Sequence, residues 1–167
     1  MLRPRDLNRR TVRSPAGTVS IFQRLTDPGF LAQAWRTVMA HYKEGALPAA
    51  LAEFDRRRGA NLNSLAGRIR DQKFLPQPAA LIHIHKTNHP EEERPISLLG
   101  PEDRIVLTAL ATLLSPLVER QLLPGCVAYR PQRSASGAVV TVHGWIKAGC
   151  THLATGDVDN FFATTKL

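Results

Sequence analysis

The sequence predicts an α+β fold, and three observations predict it. Apolar residues recur at helical spacing in several segments between Asp27 and Gly149. Two short stretches, Leu81–Lys86 and Arg94–Leu98, alternate on either side of a polar turn, the pattern of a β-hairpin. A last apolar stretch, His152 to Val158, reads as a strand running into Asp157 and Asp159. At 167 residues the chain is long enough for one domain with a real core.

The elements follow in order. Asp27-Pro28 is a helix start, an N-cap acid followed by proline at the first helical position. Phe30, Leu31, Ala34, Trp35, Val38 and Met39 give that helix its apolar face, and Gly45 ends the run. Leu47 to Arg57 forms a second amphipathic stretch around Leu51 and Phe54. Arg56, Arg57 and Arg58 suit the negative end of its dipole. Asn61 can cap a third helix carrying Leu62, Leu65 and Ile69. Pro76 and Pro78 then force extended chain ahead of the hairpin, whose turn spans Thr87 to Glu93.

Gly100-Pro101-Glu102-Asp103 opens the longest helix, with acids in its first turn. Ile105, Val106, Ala109, Leu110, Leu113 and Leu114 line its apolar face. Pro116 breaks or kinks it, with Ser115 able to cap a short continuation. After a loop over Gly125–Pro131, Ser134 caps a helix bearing Ala138, Val139, Val142, Trp145 and Ile146, closed by Gly149.

Charge points to an acidic partner. The formal net charge is +8, from 22 Lys and Arg against 14 Asp and Glu, and nucleic acid is the commonest polyanion. Five arginines fall among the first thirteen residues, the pattern of a basic arm over residues 1–26 that could lie along phosphates. A solvated tail is the plain alternative. No apolar h-region follows, and no apolar run approaches the roughly 18 residues of a membrane span, so no membrane partner is expected. Cys126 and Cys150 form no CxxC pair, which favours reduced thiols and a cytoplasmic setting.

Several constellations could carry chemistry. Lys86 and Arg94 flank the hairpin turn, where two long cations on adjacent strands can converge on a triphosphate. Surface cations beside Glu91, Glu92 and Glu93 are the bland reading. His83, His85 and His89 invite a metal, but no fitting fourth ligand is evident, and histidines on a half-exposed strand are the better reading. Tyr129-Arg130-Pro131-Gln132-Arg133-Ser134 places two arginines before a helix start, where phosphate binds well, although on these residues alone a capped loop is the better reading. Asp157 at a strand end is a natural oxygen ligand for Mg²⁺. Asp157-Val158-Asp159 also matches the Asp-x-Asp of nucleotide-sugar glycosyltransferases, a weak three-residue signal.

The order of these pieces carries a resemblance. An Ala34-Trp35-x-x-Val38 helix, Phe74-x-Pro76-x-Pro78 leading to Lys86, Arg94-Pro95-Ile96 leading to an LLGPEDRIV helix, YRPQRSA before the next helix, and GDVDNFF at the end follow one another. This order resembles the reverse transcriptases of bacterial group II introns and the related retroelement (retron) and CRISPR-associated enzymes, over about residues 28–167. The resemblance implies a fingers subdomain over residues 27–150, with the hairpin at about 79–98, and the start of a right-hand polymerase palm over residues 151–167. It implies RNA-directed DNA synthesis: nucleotidyl transfer from a dNTP to a DNA primer 3′-hydroxyl on an RNA template, with two Mg²⁺ ions.

Carried over by position, Asp157 matches the first catalytic aspartate, and the backbone carbonyl of Val158 completes a metal's shell. Phe162 matches the aromatic that excludes a 2′-hydroxyl. Lys86 and Arg94 match the cations that grip the incoming dNTP, and Arg130 and Arg133 the basic segment near template and nucleotide. Asp159 stands at a variable position and is not expected to be a ligand. Departures are Ala163, where an acid often follows the two aromatics, and the absent Asp-Gly after the first helix. The Tyr-x-Asp-Asp hairpin, the rest of the palm and the thumb are not in the sequence. The expectation is therefore the N-terminal part of a reverse transcriptase, inactive alone and needing the remainder of the polymerase as its partner. A non-catalytic RNA-binding module or decayed remnant, acting through the basic arm and Arg56–Arg58, is the alternative, and the glycosyltransferase a third reading.

Overall fold

The structure is a computed structural model and describes residues 11–14, 17–42, 47–87 and 89–158. It is mixed α+β, with six helices and two separate two-stranded antiparallel sheets among the described residues. The chain divides into two compact units, Leu2–Ser115 and Pro116–Leu167.

In the unit Leu2–Ser115, β1 (Thr11–Ser14) pairs with β2 (Gly17–Ser20), with Val12 opposite Val19. The sequence reading placed no element here. The signal lies in β-branched Thr11, Val12, Thr18 and Val19, which favour pleated backbone. A short helix, α1 (Ile21–Leu25), follows directly. Its start is a capping box: Gln23 N–H donates to Ser20 Oγ at 3.0 Å and Ser20 N–H to Gln23 Oε1 at 3.0 Å.

Helix α2 (Pro28–Met39) begins as the sequence predicts, with the Asp27 carboxylate accepting from Gly29 N–H at 2.9 Å. It ends at Met39; Gly45, the expected stop, lies outside the described residues. Helix α3 (Ala49–Arg56) and helix α4 (Arg58–Arg70) are nearly continuous, separated by Arg57 alone. The helix expected to be capped by Asn61 therefore starts four residues earlier, with Arg57 at the cap position. Asn61 sits inside it and donates from Nδ2 to the Phe54 carbonyl at 2.9 Å, tying α4 to the end of α3.

These helices bury one core. Ile21, Leu31, Trp35, Leu51, Leu62, Leu65 and Ile69 point into it, joined by Ile105, Val106, Ala109 and Leu113 from the long helix. Trp35 packs on Phe54 with ring centroids 4.9 Å apart, and its indole N–H donates to Asp55 Oδ1 at 2.9 Å. That bond settles the polar end of a ring that is otherwise buried.

Residues 73–79 carry no regular structure, as the two prolines dictate. They lead into β3 (Ala80–Lys86), which pairs with β4 (His89–Leu98). The ladder runs closer to the turn than expected, so Thr87 to Glu93 is not all loop. Helix α5 (Pro101–Glu119) is not broken at Pro116, which lies inside it. Ser115 is not a cap: its hydroxyl donates one turn back to the Ala111 carbonyl at 2.6 Å. Pro116 opens the second unit, so the boundary falls within the helix.

In the unit Pro116–Leu167, helix α6 (Ala135–Lys147) starts as predicted, with Ser134 Oγ accepting from Gly137 N–H at 3.1 Å. Gly149, at φ 102°, closes it in the left-handed conformation that glycine adopts without strain. No residue of α6 is buried. Residues 151–158 carry no strand, contrary to the reading of His152–Val158. A strand exists only as part of a ladder, and no partner strand pairs with it among the described residues. No helix among the described residues is long and apolar enough to cross a membrane.

Candidate nucleic-acid and nucleotide interface

The hairpin of the first unit holds two of the expected site residues. Arg94 lies opposite Ile84 in the ladder, and Lys86 pairs with His89 across a register shift at His85/Lys86. Lys86 thus comes two residues after the cross-strand partner of Arg94, near the hairpin end. Arg94 is exposed and has no ion-pair partner among the described residues.

The histidines behave as surface residues. His83 lies opposite Pro95 and His85 opposite Glu93, all exposed. His89 instead meets acids: its Nδ1 is 3.2 Å from Glu91 Oε1, and donor atoms of His89, Glu91 and Glu92 lie within 4.8 Å of one another. All three are exposed near a tight turn, where such closeness needs no cation.

The hairpin joins to the helical core through α5, and the sequence saw that joint only partly. Glu102 and Asp103 read as acids suited to a helix start. In the structure Glu102 pairs with Arg68 of α4. Asp103 is 5% exposed and its Oδ2 accepts from the Gln77 backbone N–H at 3.2 Å. It tethers the segment that feeds β3. Arg104 reaches back to the Leu99 carbonyl at 3.0 Å and to the Tyr42 hydroxyl.

In the second unit the loop ahead of α6 carries Arg130 and Arg133, and the two differ sharply. The Arg130 side chain is 7% exposed. Its Nε lies 3.1 and 3.0 Å from the two carboxylate oxygens of Glu119, and Nη2 donates to Oε1 at 2.5 Å. Nη1 donates to the carbonyls of Leu123 at 2.8 Å and Cys126 at 2.6 Å. The hydrogen bond from Arg130 holds the Glu119 carboxyl below its ordinary value, helped by the charges of Arg130 and Arg133. Arg133 is exposed and has no ion-pair partner among the described residues. With Gln132 and Ser134 it lines a cavity of about 260 Å³ whose apolar wall includes Val127, Val142 and Trp145. Cys126 and Cys150 are free and exposed.

Asp157 is exposed, and its Oδ1 accepts from its neighbour's N–H, that of Val158, at 2.9 Å. It is an oxygen donor of the type Mg²⁺ takes. No second carboxylate joins it among the described residues, so these residues do not compose a two-ion site. Asp159 and Phe162 lie outside the described residues.

The expected residues therefore fall into three local groups: Lys86 with Arg94 on one hairpin, Arg130 with Arg133 on one loop, and Asp157 with Val158. No protein-family model matches the chain, and no curated protein matches it.

Proposed function

We propose that this chain is the front part of an RNA-directed DNA polymerase of the reverse-transcriptase type. The observation that carries the reading is the order of the motifs from Ala34-Trp35 to GDVDNFF. The pairing of β3 with β4, which puts Lys86 and Arg94 on the two strands of one hairpin, supports it.

In the reaction, a primer 3′-hydroxyl attacks the α-phosphorus of a dNTP. A new phosphorus–oxygen bond forms, the bond to pyrophosphate breaks, and the hydroxyl proton passes to solvent water. Lys86 and Arg94 bind the triphosphate and offset the charge that builds on the leaving pyrophosphate. The loop with Arg130 and Arg133 meets template RNA. Asp157 and the Val158 carbonyl would supply oxygens to Mg²⁺, which would stabilise charge on the attacking and leaving oxygens, with the remaining carboxylates supplied by the rest of the polymerase. Phe162 tests the sugar for a 2′-hydroxyl.

Equilibrium binding tests the proposal on the chain itself. Parent protein should bind single-stranded RNA with strong salt dependence and should bind a dNTP. Arg94→Ala removes a charge-assisted phosphate contact, so dNTP affinity should fall about tenfold or more while RNA affinity barely changes. Equal losses for both ligands would reduce Arg94 to a general surface cation. Metal-dependent binding of a nucleotide sugar, abolished equally by Asp157→Ala and Asp159→Ala, would replace the polymerase reading with the glycosyltransferase one.

A further inference from the structure

The loop before α6 is held by a single side chain. Arg130 spends its Nε hydrogen, both Nη1 hydrogens and one Nη2 hydrogen on Glu119, Leu123 and Cys126. A guanidinium has five N–H donors, so one is left. A phosphate would have to displace a carboxylate and two carbonyls to reach these donors. The backbone of Arg130 also anchors the turn into α6, because Arg133 N–H donates to the Arg130 carbonyl at 3.2 Å. Tyr129 and Gln132 on either side sit at φ 56° and 59°. Those are left-handed positions that non-glycine residues hold only when their surroundings enforce them. Arg133, by contrast, is exposed at the cavity that this loop walls off.

We infer that Glu119 and Arg130 are a positioning pair, which fixes the 123–133 loop so that Arg133 is presented to single-stranded RNA. The inference rests on the RNA-binding part of the proposed function. It divides the work of the two arginines: Arg130 shapes the loop and Arg133 makes the phosphate contact. It also gives a role to Glu119, an acid that charge alone would count against binding a polyanion.

Glu119→Gln separates the two accounts. By charge alone, removing a carboxylate beside Arg130 and Arg133 strengthens binding to RNA. As a positioning change it weakens binding, because the amide cannot serve as a doubly accepting anion. Fluorescence anisotropy with a labelled mixed-sequence single-stranded RNA, over a range of salt, reads this directly. Glu119→Gln and Arg130→Lys should each lose affinity several-fold with the salt slope unchanged, since neither removes a phosphate contact. Arg133→Ala should lose about tenfold, and its slope should fall by about 0.7, the share of one contact to a single strand.

Amide hydrogen exchange on the same proteins should show faster exchange at Cys126 and Arg133 in the first two variants, with α6 unchanged. Equal or tighter RNA binding by Glu119→Gln overturns the inference. So does loss of protection throughout α6, which would make the pair a determinant of the unit's fold. If the parent binds no RNA, the proposed function fails. The exchange pattern would then still show whether the pair holds the loop.

Discussion

Asp103→Ala should unfold the first unit at a markedly lower denaturant concentration. Asp103 is a buried charged side chain, 5% exposed, and its carboxylate accepts from Gln77 N–H at 3.2 Å. Alanine leaves that N–H without its acceptor. A hydrogen bond to a charged group contributes about 1.5–3 kcal/mol. The carboxylate also sits in the first turn of α5, where a negative charge adds about 0.3–1 kcal/mol. The two together come to about 2–4 kcal/mol. Asp103→Asn keeps an acceptor of the same shape and should lose about half as much. Trp35, 1% exposed in the same unit, is a suitable fluorescent reporter once Trp145 is replaced by phenylalanine. With a urea slope of about 2 kcal/mol per molar, the alanine variant's midpoint should fall by about 1–2 M. A shift inside the roughly 0.5 kcal/mol typical of surface substitutions would refute the reasoning, as would asparagine and alanine behaving alike.

Three further outcomes are expected. Trp35→Phe keeps most of the packing on Phe54 but loses the indole bond to Asp55. Asp55 is half-exposed and still paired with Arg58, so the cost should be about 1–2 kcal/mol in the same urea experiment. Joined to a palm that supplies the remaining catalytic carboxylates, Asp157→Ala should slow primer extension on the order of 10³-fold, about 4 kcal/mol, and Asp159→Ala far less. Phe162→Ala should admit ribonucleotides in that assay. The order of the 123–133 loop should be lost in acid. The Glu119 carboxyl is held low in the folded chain by the Arg130 hydrogen bond, so its contribution is complete above the ordinary value of 4.5 and disappears as pH falls through the lowered one. Amide shifts of Cys126 and Arg133, followed as pH falls until Glu119 is protonated, would show it, and shifts that stay unchanged once Glu119 is protonated would refute it.

Most helices were legible because their signals are local. Asp27-Pro28 and Ser134 announce starts, and both cap as expected. The hairpin was legible from alternation, and its register follows from β3 and β4 themselves. The errors arise where local signals compete or where a distant partner decides. The β-branched residues of β1 and β2 and the Ser20–Gln23 capping box are short local signals interspersed with arginines whose composition reads as a basic arm. Asn61 can cap a helix, but here it lies inside α4 and bonds to α3. Ser115 can cap as well, but its hydroxyl bonds back along α5 instead. The strand over His152–Val158 has the right composition, yet composition cannot supply a ladder partner. Asp103 looked like a dipole acid because its true partner, Gln77, is distant in sequence and offers only a backbone N–H.

The same distinction governs the charge argument. The sequence counts 22 cations. It does not say which are already engaged within the chain. Arg24 pairs with Asp27, Arg56 with Glu53, Arg58 with Asp55, Arg68 with Glu102 and Arg130 with Glu119, while Arg104 serves Leu99 and Tyr42. A paired guanidinium still adds to the net charge and to long-range steering. It is a poorer phosphate contact, because the phosphate must first displace a carboxylate. Two of the three arginines in the Arg56–Arg58 run are paired in this way, but on exposed surface, where such pairs are weak and a phosphate can displace the acid. Arg94 and Arg133 are exposed with no ion-pair partner among the described residues, as are Arg36, Arg57, Lys73, Arg120 and Lys147. A simple electrostatic module would spread its affinity over many cations. A nucleotide-gripping polymerase front concentrates its effects at a few, and comparing Arg56→Ala with Arg94→Ala on dNTP and RNA binding separates the two.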